Sequence, residues 1–390
     1  MMSGDPSAPV PADDLAMNAN PYVENAAPYA APFVALARDD SALQHNALHL
    51  GPRPLPLFLS LVRNHHLTAP AEAQRALEGL RKLQTSIPIA APAAMPVKAR
   101  TRQATLLDYG GSGPNVVFVP SLINPPTVLD ITAERSLVRW LSTQEFHPYL
   151  VDWGSVSAAE ASISISDYVA DILIPTLRAL EAPVHLVGYC LGGTMALAAA
   201  HLHPVRSVSM IAAPWRFGHY PAPARAAMAK LWADAEPSAR QMGCLPMEML
   251  QLMFWQLDPA GTVQKYARFA GLDDESTDAA LFIAMEQWAN GGAPLSYAAA
   301  RELFEDFIAN DMPGHDGWRI NDTVIRAETA PCPMIEFVSL ADRIVPAATA
   351  TGRSNRQNIN RGHVGMITGS QAKVQLWEPL RQWLSQPQHC

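Results

Sequence analysis

The sequence predicts an α/β fold built on a mostly parallel, doubly wound sheet, and three observations predict it. From Arg102 onward, short apolar runs alternate with longer helix-forming segments, the pattern of successive βαβ units. Runs such as V-V-F-V and V-H-L-V-G are apolar without alternation, as strands covered by helices on both faces must be. A glycine-flanked cysteine, Cys190, stands where one of these runs passes into a helix-forming stretch.

Taken in order, the strands are expected at 103–108, 115–120, 148–152, 183–188, 207–212 and 333–340. Helices are expected at 134–143, 166–181, 191–203 and 372–385. Residues 1–35, rich in Ala, Pro and Asn, read as a tail. Residues 36–100 read as an N-terminal helical region, clearest at 71–84 (A-E-A-Q-R-A-L-E-G-L-R-K-L-Q), followed by a proline-punctuated linker. The alternation stops between 215 and 329, where Met-rich helical text such as M-E-M-L-Q-L-M-F-W-Q-L takes over. This stretch reads as a helical cap inserted into a core made of 101–214 and 330–390. Trp255, Phe282 and Trp288 are candidates for its pocket wall, although each reads better as cap core than as a substrate contact.

Bulk properties narrow the function classes. The chain has 390 residues, 49% of them apolar and 16% charged, which suits a globular protein and not a disordered one. Its net charge of −8 offers no basic stripe for nucleic acid. The four cysteines are far apart, with no C-x-x-C pair and no zinc spacing, so no metal is expected. The first thirty residues carry no basic then apolar leader, and no long uncharged apolar run follows. The expected setting is therefore cytoplasmic and reducing, without a transmembrane segment.

The motif with chemistry is V-G-Y-C-L-G-G-T. Gly188, Cys190 and Gly192 form G-x-C-x-G directly after a strand and directly before a helix, the setting of a nucleophile elbow and hence of the α/β-hydrolase fold. Side chains two positions either side of the nucleophile would collide in so tight a turn, which is why glycine stands there. The new helix aims its free N–H groups at the sulfur and at any oxyanion formed beside it. Leu191 is the expected first oxyanion donor, with a second from the loop at Ser121 and Leu122. That fold places an acid after a late strand and a histidine near the C-terminus. Asp342 follows the run M-I-E-F-V-S-L, and His363 follows in N-R-G-H-V-G. Cys190 is thus the expected nucleophile, His363 the base and Asp342 the residue that orients it. The plain alternatives are a buried structural cysteine, a loop-capping carboxylate and a surface histidine.

In these residues the chain resembles the polyhydroxyalkanoate synthase family. The resemblance runs through F-V-P-S-L-I-N-P-P-T-V-L-D-I, E-R-S-L-V-R-W-L, V-D-W-G, G-Y-C-L-G-G-T, A-D-R-I-V-P and G-H-V-G-M-I-T-G, across roughly residues 100–385. It implies an acyltransferase that polymerises (R)-3-hydroxyacyl-CoA through a covalent thioester on Cys190, with no cofactor beyond the acyl-CoA substrate. Hydroxyacyl-CoA and the growing polyester are the implied partners, with a homodimer, a partner subunit and association with polyester granules in some members. Asp130 matches a family position near the active site, although helix capping explains it as well. Two positions depart from the family: Arg343 stands where His is usual after the acid, and Pro125-Pro126 follow Asn124 where aromatics are usual. A thioesterase, esterase or intracellular depolymerase with the same triad is the alternative function, and a non-enzymatic granule scaffold is a further one.

Overall fold

The computed structural model describes residues 50–386. The expected tail at 1–35 lies outside the described residues, as do 36–49 and 387–390. Among the described residues, eight strands form one sheet: β1 (Val97–Thr101), β2 (Ala104–Asp108), β3 (Asn115–Val119), β4 (His147–Asp152), β5 (His185–Tyr189), β6 (Ser207–Ile211), β7 (Met334–Ser339) and β8 (Arg356–Ile359). Their order is β1-β2-β4-β3-β5-β6-β7-β8. β2 runs antiparallel to both its neighbours, and every pair from β4 to β8 is parallel. This is the α/β-hydrolase fold.

The six expected strands all form. β1 lies inside the stretch read as linker, so the sheet begins at Val97 and not after residue 100. Its pattern is largely exposed and it pairs only with β2, so V-K-A-R-T carries little apolar periodicity. β8 was not expected either; R-Q-N-I is polar and forms the other edge of the sheet.

Both faces of the sheet are covered. Val117 and Val119 of β3 pack with the helical stretch 165–177 and with the elbow helix. Val116 and Phe118, pointing the other way, pack with Leu137, Val138 and Leu141 and with Leu376 and Leu380 near the C-terminus. Ser136 caps the first of these latter helices, its Oγ accepting from the Arg139 amide at 3.0 Å, so that helix starts at Leu137 and not at residue 134.

Two helices precede the sheet, α1 (Leu55–His66) and α2 (Pro70–Thr85). Between β6 and β7 lie further helices, including α3 (Ala222–Met242), α4 (Met247–Leu257), α5 (Pro259–Ala270) and α6 (Thr277–Ala289). α1 and α2 pack on α5: Phe58, Ala76, Leu80 and Leu83 share a cluster with Trp255, Val263, Tyr266 and Phe269. Gly79 permits the approach, because a Cβ there would meet the Tyr266 carbonyl oxygen at 2.0 Å. Glu286 of α6 is buried among this packing and is satisfied by Lys265 Nζ and Tyr266 Oη, each at 2.5 Å. No helix among the described residues is long and apolar enough to cross a membrane.

Candidate active site

β3, β5 and β6 lie side by side, with Gly188 in register with Val119 and Met210. Cys190 therefore leaves the carboxyl edge of the sheet, where ligand crevices of open α/β sheets lie. Its backbone takes φ 55° and ψ −133°, a left-handed conformation rare for a residue with a side chain. The turn is held by the Cys190 amide donating to the Ile211 carbonyl at 2.9 Å and the Gly193 amide donating to the Cys190 carbonyl at 2.8 Å. A Cβ on Gly188 would meet Gly193 Cα at 2.3 Å, and one on Gly192 would meet the Val119 carbonyl oxygen at 2.1 Å. The G-x-C-x-G spacing thus allows three segments of backbone to close around one sulfur.

The helix that follows, Leu191–Leu202, is buried from Leu191 to Ala200 and consists mostly of Gly, Ala and Leu, which lets it lie close on the sheet. Leu191 is its first residue, so its N–H has no acceptor within the helix and remains available beside the sulfur. Ser121 lines the same cavity as Cys190, while the Leu122 side chain is buried in the core below. The Ser121 hydroxyl accepts from the Ile123 amide at 3.2 Å, which commits that amide to the loop itself.

Asp342 sits three residues past β7, and His363 four residues past β8. His363 Nδ1 is 2.6 Å from Asp342 Oδ2, and the Asp342 side chain is fully shielded from solvent. The other carboxylate oxygen accepts from the amides of Ile344 at 2.8 Å and Val345 at 2.9 Å. Cys190 lines the same cavity as the imidazole and is close enough to act on its charge. Burial acts to lower the His363 pKa, but the charge of Asp342, the neighbouring Cys190 and the hydrogen bonds to both outweigh it, and the group is pushed up to about 10. The ring of Tyr189 lies against that of His363, with centroids 5.0 Å apart, and its hydroxyl donates to the His363 carbonyl at 3.3 Å. The structure therefore brings together Cys190, His363 and Asp342, three residues separated by up to 173 positions in the chain.

It does not bring Asp130 to them. That carboxylate is buried and held by Arg139, with Nε 2.7 Å from Oδ1 and Nη2 2.9 Å from Oδ2, and by the Tyr109 hydroxyl at 2.8 Å. It takes no part in the cavity lining, and the contacts it makes are those of an ion pair with Arg139.

A cavity of about 660 Å³ opens over Cys190 and His363. Trp255 and Trp288 line it, as the Met-rich stretch suggested, whereas Phe282 stacks on Phe269 at 4.2 Å in the cluster behind the wall. Lys265, Arg268 and Arg343 add positive charge to the lining, with Asp258 between them; Arg343 Nη1 lies 2.7 Å from Asp258 Oδ1. Tyr189 and Gln251 were not singled out from the sequence. Gln251 carried a trace, being one of two amides, with Gln256, within a mostly apolar helical stretch.

No protein-family model matches the chain. A poly(3-hydroxyalkanoate) polymerase subunit PhaC from Haloferax mediterranei is 27% identical over 293 residues, covering 70% of this chain and 58% of that protein. The PhaC of Haloarcula marismortui is 25% identical, covering 70% and 60%. The PhaC of Allochromatium vinosum is 25% identical, covering 70% and 80%. The chain is similar to poly(3-hydroxyalkanoate) polymerase subunits. It spans 58% and 60% of the length of the first two of these polymerase subunits. Among solved structures, a monoacylglycerol lipase from Paleococcus ferrophilus matches with a TM-score of 0.44 and 16% identity over 72% of this chain and 98% of that one. A thermophilic esterase from Thermogutta terrifontis matches at 0.40 and 15%, over 76% and 98%. Likenesses this distant add nothing to the strand order and the elbow, on which the fold stands.

Proposed function

We propose that the chain is an acyltransferase that joins 3-hydroxyacyl groups from CoA thioesters into a polyester, with Cys190 as nucleophile, His363 as general base and acid, and Asp342 as the group that orients it. One observation carries the reading: Cys190 at the elbow and His363, held through Nδ1 by Asp342, line one cavity whose walls combine tryptophans and cations. The similarity to PhaC subunits supplies the substrate class.

In the loading step the proton shared by Cys190 and His363 rests on His363 Nε2 as the sulfur attacks the thioester carbonyl. The Leu191 amide, with a backbone donor from the Ser121–Leu122 loop, stabilises the oxyanion, where one such donor is worth on the order of 100- to 1,000-fold in rate. The tetrahedral adduct collapses, the C–S bond to CoA breaks, and the CoA thiolate leaves with the proton from His363. One thioester replaces another, so loading costs little free energy. In the second step His363 takes the proton of the 3-hydroxyl of another acyl unit, and that oxygen attacks the Cys190 thioester. An ester forms and the Cys190 sulfur recovers its proton. Water must stay out while the thioester persists, a task suited to the apolar wall of Trp255, Trp288 and Val128. No further cofactor enters this scheme. An insoluble product sets the chain at the surface of a cytoplasmic polyester granule.

Incubating the purified protein with 3-hydroxybutyryl-CoA tests the reading. Release of CoA with insoluble polyester is the expected result, and Cys190→Ala abolishes both while keeping the far-UV CD spectrum. Free hydroxyacid as the sole product, or full activity of the alanine variant, overturns it.

A further inference from the structure

Gln251 stands between two chambers. It lines the 660 Å³ cavity that contains Cys190 and His363, and it also lines a second cavity of about 310 Å³. Among the described residues, Gln251 and Ala289 are the two shared by both linings. They touch. With its amide oriented to satisfy its neighbours, Gln251 donates to the Ala289 carbonyl at 3.2 Å and accepts from Trp255 Nε1 at 2.7 Å. Ala289 offers only a methyl group, so the bulk of the partition is the Gln251 side chain, which is itself buried.

The second chamber has walls suited to hydrocarbon. Pro246, Met247, Cys244 and Pro294 supply apolar surface, the charged groups, Arg53 and Glu248, are exposed, and the polar Asn290 is engaged through its Oδ1 by the Arg53 amide at 2.9 Å. Nothing in the loading chemistry needs this space, because the reacting atoms lie with Cys190 and His363 in the first chamber. What enters from the first chamber past Gln251 would be the end of the acyl group.

We infer that Gln251 sets the length limit of the acyl group, and that the second chamber is a latent pocket for the alkyl chain of longer 3-hydroxyacyl thioesters. The inference rests on the acyl-transfer reading above and adds a specificity residue to it. Removing the side chain beyond Cβ joins the two chambers. Replacing it with leucine removes both hydrogen bonds yet keeps most of the bulk, so the pair of variants separates the wall from the bonds.

The test is single-turnover acylation of Cys190, followed by intact mass, with 3-hydroxybutyryl-CoA and 3-hydroxyoctanoyl-CoA as donors. Added methylenes change rates by about tenfold or more when a pocket can or cannot take them. In Gln251→Ala the ratio of octanoyl to butyryl acylation rises about tenfold or more over wild type. In Gln251→Leu the ratio stays within about twofold of wild type. Thermal melts establish that each variant is folded, and Gln251→Ser replaces the alanine variant if that one melts early. An unchanged ratio in the small-residue variant overturns the inference. So does an equal rise in the leucine variant, which would assign the limit to the hydrogen bonds. Wild-type protein acylated by neither thioester overturns the acyl-transfer reading itself, a result distinct from acylation with an unshifted ratio.

Discussion

His363 meets Asp342 through Nδ1 and Oδ2 at 2.6 Å, while the second oxygen of the same carboxylate is held by two backbone amides. The carboxylate is thus fixed before it touches the ring, and it fixes the ring in turn. The tautomer that presents Nε2 to the sulfur follows from this arrangement.

Asp342→Asn keeps an oxygen for the Ile344 and Val345 amides, so the loop is expected to hold its shape. The charge that orients and stabilises the imidazolium is lost. We expect kcat/KM for CoA release to fall by on the order of 10³- to 10⁴-fold while the far-UV CD spectrum stays that of the folded protein. A fall of less than tenfold in a folded variant would show that the carboxylate does not serve the imidazole.

The raised pKa of His363 has a consequence for stability. Its folded value, about 10, lies above the ordinary histidine value, so the folded protein holds that proton more tightly than the unfolded chain does. The contribution is fully present below about pH 6.5 and disappears as the pH climbs through about 10. Urea unfolding of wild type and His363→Gln should therefore differ by a constant amount in mild acid and converge between neutral pH and pH 10. A difference that stays constant across that window contradicts the assignment.

Gly192→Ala places a methyl group 2.1 Å from the Val119 carbonyl oxygen and 2.5 Å from that of Pro120, both backbone atoms that cannot rotate away. The elbow must shift, at a cost of roughly 1–3 kcal/mol. Thermal denaturation should register the loss, and acylation should slow by at least tenfold as the sulfur and the Leu191 amide move out of line. Gly271→Ala is the control. Its nearest neighbour would be the Arg268 carbonyl oxygen at 3.7 Å, an ordinary contact, and activity should stay within twofold.

Asp130→Asn should separate structure from chemistry. The change breaks a buried ion pair with Arg139 and should cost roughly 2–4 kcal/mol of stability, read by urea titration. Catalysis by the folded fraction should stay within about threefold, since this carboxylate lies outside the cavity lining. A selective fall in kcat at unchanged stability would return Asp130 to the active site.

The juxtaposition of Cys190, His363 and Asp342 was readable because each stands at a point where the chain must change direction. A strand that ends in glycine, cysteine and glycine and passes straight into a helix has few other conformations open to it, and an acid and a histidine just past late strands fall at the same edge of a parallel sheet. The contacts of Asp130 were not readable, for a different reason. Its partners, Tyr109 and Arg139, lie 21 residues before it and nine after, and neither distance leaves a periodic trace. Strands β1 and β8 were missed because edge strands face solvent and need not be apolar. The cavity wall was only partly legible, since whether a tryptophan faces a pocket or the cluster behind it depends on how the helix is rotated, and Phe282 and Trp288 lie on the same helix.

The tight fit of Gly79 against Tyr266 bears on how substrate reaches the sulfur. A helix pair wedged against α5 from outside, with no room for even one methyl group between the backbones, couples two parts of the molecule that are far apart in sequence. Swinging α5 outward to widen the entrance would have to carry α2 along or tear open the apolar cluster beneath it. Traffic into the chamber is therefore better served by rotation of individual side chains at the rim than by wholesale hinging, and the segment before the sheet acts as a brace on the roof of the reaction chamber.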